Sequence, residues 1–96
     1  MKRRQVFKFR LFIAGHAMNS LQAVTNLKTL CAKYLPDRHE IEIVDVYQAP
    51  ERALYEGVMM TPTLLRIAPT PVRRIVGTLS QTATVLRALE LESTVT

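Results

Sequence analysis

Residues 58–77 read Val58-Met59-Met60-Thr61-Pro62-Thr63-Leu64-Leu65-Arg66-Ile67-Ala68-Pro69-Thr70-Pro71-Val72-Arg73-Arg74-Ile75-Val76-Gly77 and hold three of the chain's five prolines. A proline inside a strand removes a ladder donor, so it is tolerated at a strand's first residue, at an edge or in a turn. Thr61-Pro62 therefore opens a strand, expected over Thr63–Ile67, and Ala68-Pro69-Thr70-Pro71 turns the chain. A second strand follows over Val72–Val76, and the simplest pairing of the two is a hairpin. Gly77 marks its end. A cis bond at Thr61–Pro62 is an open question at this level, because only about 5–6% of X–Pro bonds in folded proteins are cis.

Upstream, Phe7, Phe9, Leu11 and Ile13 alternate with Lys8, Arg10 and Phe12, which predicts a strand over Val6–Ala14. Gly15–Met18 is a loop, and Asn19 is placed to cap a helix over Ser20–Leu35. Val24, Leu27, Cys31 and Tyr34 form its apolar stripe, with Leu30 and Leu35 at the edge. Pro36–His39 is a turn, and Glu40–Val46 a second strand. Asp45 lies at that strand's end, where capping the next segment is the expected role. Pro50 suits the first position of a short helix to Glu56, and Gly57 its end. Downstream, Ser80 is placed to cap a last helix reaching Leu91, with Val85, Leu86 and Leu89 inward. Thr82, Thr84 and Val85 are β-branched, so residues 82–86 also suit a strand.

The 96 residues are expected to form one domain, with a basic arm over 1–5 and a frayed tail over 92–96. No apolar run approaches the roughly 20 residues that span a bilayer. Met1-Lys2-Arg3-Arg4 looks like the start of a leader, but Lys8 and Arg10 interrupt its apolar region, so a strand is the better reading and the cytoplasm the expected location. The net charge is +5, and residues 1–10 hold five bases and no acid. No aromatic stacking motif accompanies that charge, so a solvated arm is expected rather than a nucleic-acid partner. One cysteine, Cys31, allows no internal disulfide, and with His16 and His39 it gives no metal-ligand spacing. The glycines at 15, 57 and 77 match no nucleotide-binding fingerprint. No cofactor and no metal is expected.

The element order βαβαββα, with helices crossing between parallel strands and a terminal hairpin plus helix, resembles the thioredoxin fold. That resemblance implies a cis Thr61–Pro62 turn facing the loop after strand one. A redox enzyme of this fold needs a thiolate at that loop, stabilised by the helix N-terminus. Here the loop is Gly15-His16-Ala17-Met18-Asn19-Ser20 and contains no cysteine. Cys31 is about three helical turns away. Ser20 beside His16 lacks a third group to orient the histidine. The expected protein is a non-enzyme on a retained scaffold, with a thiol protein using Cys31 as the competing reading.

Gly15-x-x-x-Asn19-Ser20, Val44-Asp45-Val46, Pro50, Thr61-Pro62-Thr63-Leu64, Pro69-x-Pro71-Val72-Arg73-Arg74-Ile75-Val76-Gly77 and Leu79-Ser80 occur in the order and spacing of one family. Over about Phe7 to Leu91 the chain resembles the KaiB family of circadian-clock proteins. The resemblance implies docking on a KaiC-type ATPase ring, capture of a KaiA-like protein and displacement of a SasA-like histidine kinase. It implies a dimer or tetramer, and a second, metamorphic fold of order βαββααβ in which the C-terminal half is remodelled. The double preference of residues 82–86 fits that exchange. Arg73 and Arg74 are the candidate contact or switch residues, Gly77 the candidate hinge, and Thr78, Pro62 and Pro71 the remaining candidates. Thr78 stands where the family commonly carries Asp, and the acidic C-terminal tail of clock members is absent. Clock timing and a divergent stress role with another KaiC-like ATPase or a kinase both stay open, as does a sensor-type adaptor for a histidine kinase.

Overall fold

The computed structural model of the chain describes residues 5–91. The tail at 92–96, and all but Gln5 of the N-terminal arm, lie outside the described residues. The order is β1 (Phe7–Ile13), α1 (Met18–Tyr34), β2 (His39–Asp45), α2 (Pro50–Tyr55), β3 (Thr63–Ala68), β4 (Arg73–Val76) and α3 (Thr82–Ala88). This is the expected βαβαββα succession. One four-stranded sheet runs β2-β1-β3-β4. β1 and β2 are parallel, while β3 is antiparallel to both β1 and β4. The α1 connection joins parallel neighbours as expected, but the second crossover does not: the six-residue α2 is too short to carry the chain back along the sheet, so β3 starts at the end where β2 stops and runs antiparallel. Thr61–Pro62 is cis, and so are Ala68–Pro69 and Thr70–Pro71.

Alternation along β1 sorts the molecule into two cores. Phe7, Phe9 and Leu11 face α1 and α3, packing with Ala23, Leu27, Leu30, Cys31, Leu64, Leu79, Val85, Leu86 and Leu89. Phe12 faces the other way and packs with Val44, Ala53 and Leu65 beneath α2. Burying each large apolar side chain contributes about 1.5–3 kcal/mol, so the first, larger core dominates the stability. On α1 the buried residues are Ser20, Ala23, Leu27, Leu30 and Cys31. Val24 and Tyr34, expected at the stripe's centre, are only partly buried at its margin.

The helix starts differ from expectation. The Ala17 N–H donates to the Ala14 carbonyl (3.2 Å) and the Leu21 N–H to that of Ala17 (3.0 Å). The first turn therefore closes early, Ala17 occupies the N-cap position without a side-chain bond, and Asn19 is already helical. At α3 the Ser80 hydroxyl accepts from the Thr78 hydroxyl (3.2 Å), and Gln81 stands at the N-cap instead. His39, read as part of a turn, opens β2 and places Nδ1 at 2.7 Å from the Leu35 carbonyl beyond α1.

Candidate functional site

The β3–β4 hairpin is held to both flanking layers by three arginines. Arg66, on β3, is 2% exposed although it is charged. It shares a sheet face with Leu64 and so points at α3. Nη1 donates to the Leu89 carbonyl at 2.6 Å, and Nη2 donates to the Pro71 carbonyl at 2.8 Å and to Glu90 Oε1 at 3.4 Å. Its Nε has no partner among the described residues. These contacts secure the C-terminus of α3. That helix closes in a Schellman arrangement: the Glu90 N–H reaches the Arg87 carbonyl (3.1 Å) and the Leu91 N–H that of Leu86 (2.8 Å). Glu90 holds φ at +61°, a conformation usually left to glycine. The Leu89 carbonyl that the motif leaves over is the one Arg66 takes.

The adjacent pair Arg73 and Arg74 projects to opposite sides of β4. Arg73 reaches the Glu90 carboxylate through Nη2 at 3.2 Å and Nε at 3.3 Å, on the α3 side. Arg74 donates to the Glu56 carbonyl at 2.7 Å and to the Gly57 carbonyl at 3.2 Å, at the end of α2. At the far end of the hairpin, the Gly77 N–H donates to the Pro62 carbonyl at 2.9 Å with φ at +122°. The Thr78 carbonyl there accepts from Asn26 of α1 at 2.8 Å. The six candidate residues do not converge. Pro62, Gly77 and Thr78 meet at one end, Pro71 and Arg73 gather with Arg66 and Glu90 at the other, and Arg74 lies on the opposite face. The register Thr63↔Val76 and Arg66↔Arg73 separates the two ends by three residues, or roughly 10 Å.

A charged network that sequence reasoning missed covers part of the α2 face. Arg10 pairs with Glu42 at 2.7 Å and with Glu56, while Arg52 of α2 grips Glu42 at 2.6 and 3.0 Å. Its signal was readable: Arg10 and Glu42 share the parity of Phe12 and Val44, and the parallel register places them opposite each other. The Arg52 bonds, then those of Arg10, hold the Glu42 carboxyl at about 2.

At the loop end of the sheet, the Gly15 N–H donates to Asp45 Oδ1 at 3.1 Å and the Tyr47 N–H to the same oxygen at 2.9 Å. Asp45 thus fastens the loop after β1 to the loop after β2, which refines the expected capping role. Ser20 is 1% exposed and its Oγ accepts from the Ala14 N–H at 3.0 Å, so the hydroxyl is spent on the fold. Cys31 is fully buried, and burial pushes its thiol up to about 12. A thiol in that setting is a poor nucleophile. Among the described residues, no group of three His, Cys, Asp or Glu side chains is placed to hold a metal, and no helix is long and apolar enough to cross a membrane.

Sheet order, cis-proline turn and cysteine-free loop define a thioredoxin-like α/β domain without the thioredoxin nucleophile. Solved structures agree on the fold. The N-terminal domain of SasA from Synechococcus elongatus superposes with a TM-score of 0.74 at 19% identity, over 94% of this chain and 89% of that one. Chloroplastic thioredoxin z gives 0.72 at 19% identity, over 94% and 81%. The KaiB domain model matches residues 10–91. Circadian clock protein KaiB3 of Synechocystis sp. is 42% identical over 82 residues, 85% of this chain and 80% of the relative. The circadian clock oscillator protein KaiB of Prochlorococcus marinus is 35% identical over 91 residues, 95% and 84%. The chain belongs to the KaiB family.

Proposed function

We propose that this domain is a non-enzymatic protein-binding module that docks on a KaiC-type ATPase ring and regulates circadian or stress signalling by exchanging partners. The observation that carries the reading is the family match across residues 10–91, which takes in the whole hairpin block. The buried Cys31 and the cysteine-free loop support it against a thiol activity. Partner exchange draws on a second packing of residues beyond β2, with a KaiA-like protein or a SasA-like kinase as the competing partners and a dimer or tetramer as the resting assembly. Arg73, Arg74, Thr78, Pro62 and Pro71 are its contact or switch residues, and Gly77 is its hinge. Internal bonds of Arg73 and Arg74 to α3 and α2 favour a switch role for them, since remodelling the hairpin would free both side chains.

Co-purification with the KaiC-type ATPase of the same cell, with and without nucleotide, tests the docking. Binding in at least one nucleotide state is expected; absence of binding in every state overturns it. Assigned amide spectra through residues 50–91 test the exchange. A second resonance set with strand shifts at 82–86 is expected in the free protein and is expected to give way to the α3 shifts on adding the ATPase, and strand shifts at 82–86 in the complex count against it.

A further inference from the structure

Between α1 and the chain entering α3 lies a hollow of about 160 Å³ that none of the contacts above fills. Its floor is apolar. Leu30 and Leu79 form it, both buried, and Leu79 holds φ at +65°, a conformation usually left to glycine. Its rim is polar and comes mostly from one stripe of α1, where Asn26, Thr29 and Lys33 follow at spacings of three and four. Thr82, the first residue of α3, closes the other side. Asn26 is fixed there by its bond to the Thr78 carbonyl at 2.8 Å. The Thr29 and Thr82 hydroxyls make no hydrogen bond among the described residues. Lys33 holds its ammonium 5.2 Å from the centre of the Tyr34 ring, a further wall of the hollow, and forms no ion pair among the described residues. No acid lines the hollow, and neither α1 nor α3 contains one. A concave apolar floor with a few convergent polar groups is the usual form of a small-molecule site.

Volume, charge and donors specify the ligand. An apolar cavity of about 150 Å³ holds a benzene ring, so one six-membered ring fits here. Lys33 is the single charge at the rim and calls for an anion. The unpaired hydroxyls beside it can donate to carboxylate oxygens. We propose that the hollow binds a small organic anion, a carboxylate carried on one ring or on a branched aliphatic group of that size. The apolar body rests on Leu30 and Leu79. The carboxylate lies at the Lys33 ammonium and accepts from the Thr29 hydroxyl, and Asn26 and Thr82 border the far side of the body.

The test titrates the isotope-labelled full chain with benzoate at constant pH and ionic strength. Benzyl alcohol supplies the body without the charge, benzylamine the body with the opposite charge, and inorganic phosphate the charge without the body. Benzoate is expected to shift the amides of Asn26, Thr29, Lys33, Leu79 and Thr82 with a dissociation constant on the order of 1 mM, since so small a ligand makes few contacts. The other three are expected to bind about tenfold more weakly or worse. Lys33→Met keeps the apolar stem and is expected to lose about threefold to tenfold in affinity. Thr29→Phe, at an exposed helical position, fills the hollow and is expected to abolish the shifts. Benzyl alcohol or phosphate binding as tightly as benzoate, shifts confined to other faces, or unchanged affinity in either variant overturns the proposal. Shifts of the same amides on dilution without ligand overturn it too, because the occupant is then a second copy of the chain.

Discussion

Replacing Arg66 by methionine removes a charge from the core and the donors from two carbonyls. The Leu89 carbonyl lies in a buried bond and would be left without a partner, at about 1–3 kcal/mol. The Pro71 carbonyl is only part-buried, so water can replace the guanidinium there and the cost is about 1 kcal/mol or less. Against these stands relief from desolvating a guanidinium whose Nε is unpaired, and swapping a buried charge for an apolar side chain is often close to neutral when no partner is stranded. Because a carbonyl is stranded here, the net is a loss of about 1–3 kcal/mol. With a urea slope of about 1–2 kcal/mol/M, the unfolding midpoint of Arg66→Met should fall by roughly 0.5–3 M. Hydrogen exchange should locate the loss. Amides of α3 should exchange faster than those of α1, since Arg66 bonds to the C-terminus of α3 and makes no hydrogen bond or ion pair to α1 among the described residues. Arg66→Lys should recover part of the midpoint, as one ammonium can reach one carbonyl but does not reproduce the fork. An unchanged or raised midpoint, or exchange that speeds up equally in α1 and α3, would refute the assignment of Arg66 as the anchor of that helix.

Gly77→Ala should cost about 1–3 kcal/mol in chemical denaturation, through backbone strain alone, because φ is +122° and no atom lies within 4 Å of the added Cβ; a neutral variant would show that the turn relaxes freely. Glu42 has its carboxyl lowered from 4.5 to about 2, so its contribution is complete above about pH 4.5 and is lost as pH falls toward 2. The gap in urea midpoint between wild type and Glu42→Gln should accordingly narrow between about pH 5 and pH 2.5, and a constant gap refutes it. Cys31 has a thiol raised from 9.0 to about 12, so it should resist an aromatic disulfide reagent until the protein opens. Its contribution to stability is complete below about pH 9 and declines as pH rises toward 12, and rapid labelling in the native state would contradict the burial.

Most of the fold was legible because period-two alternation is strong in β1 and because prolines and glycines punctuate the second half. Phe7, Phe9 and Leu11 against Phe12 announce two faces, and Pro62 and Gly77 bracket the hairpin. The helix starts were less legible. Asn19 and Ser80 have good capping chemistry, but closure of the turn at Ala14–Ala17 and the Thr78–Ser80 hydroxyl bond displaced them. Arg66 was passed over for a different reason. Hydropathy alone places an arginine outside, and only the carbonyls of Pro71 and Leu89, the latter 23 residues along the chain, make its burial tolerable. The candidate residues were read as one block because they are close in sequence, yet a hairpin spreads such a block along its length and across both sides. The hollow between α1 and α3 was not legible, because the residues that line it come from separate stretches of the chain.

Consecutive residues of an extended chain face opposite ways, and Arg73 and Arg74 turn that geometry into a mechanical linkage. One strand, only Arg73–Val76 long, reaches the α3 side through one arginine and the end of α2 through the next. The two helices share no core, since one packs with Leu64 and the other with Leu65. β4 is therefore the rod that makes them answer to each other. A slip of that rod by a single residue would reverse both arginines, uncoupling the two helices in one movement rather than in sequence.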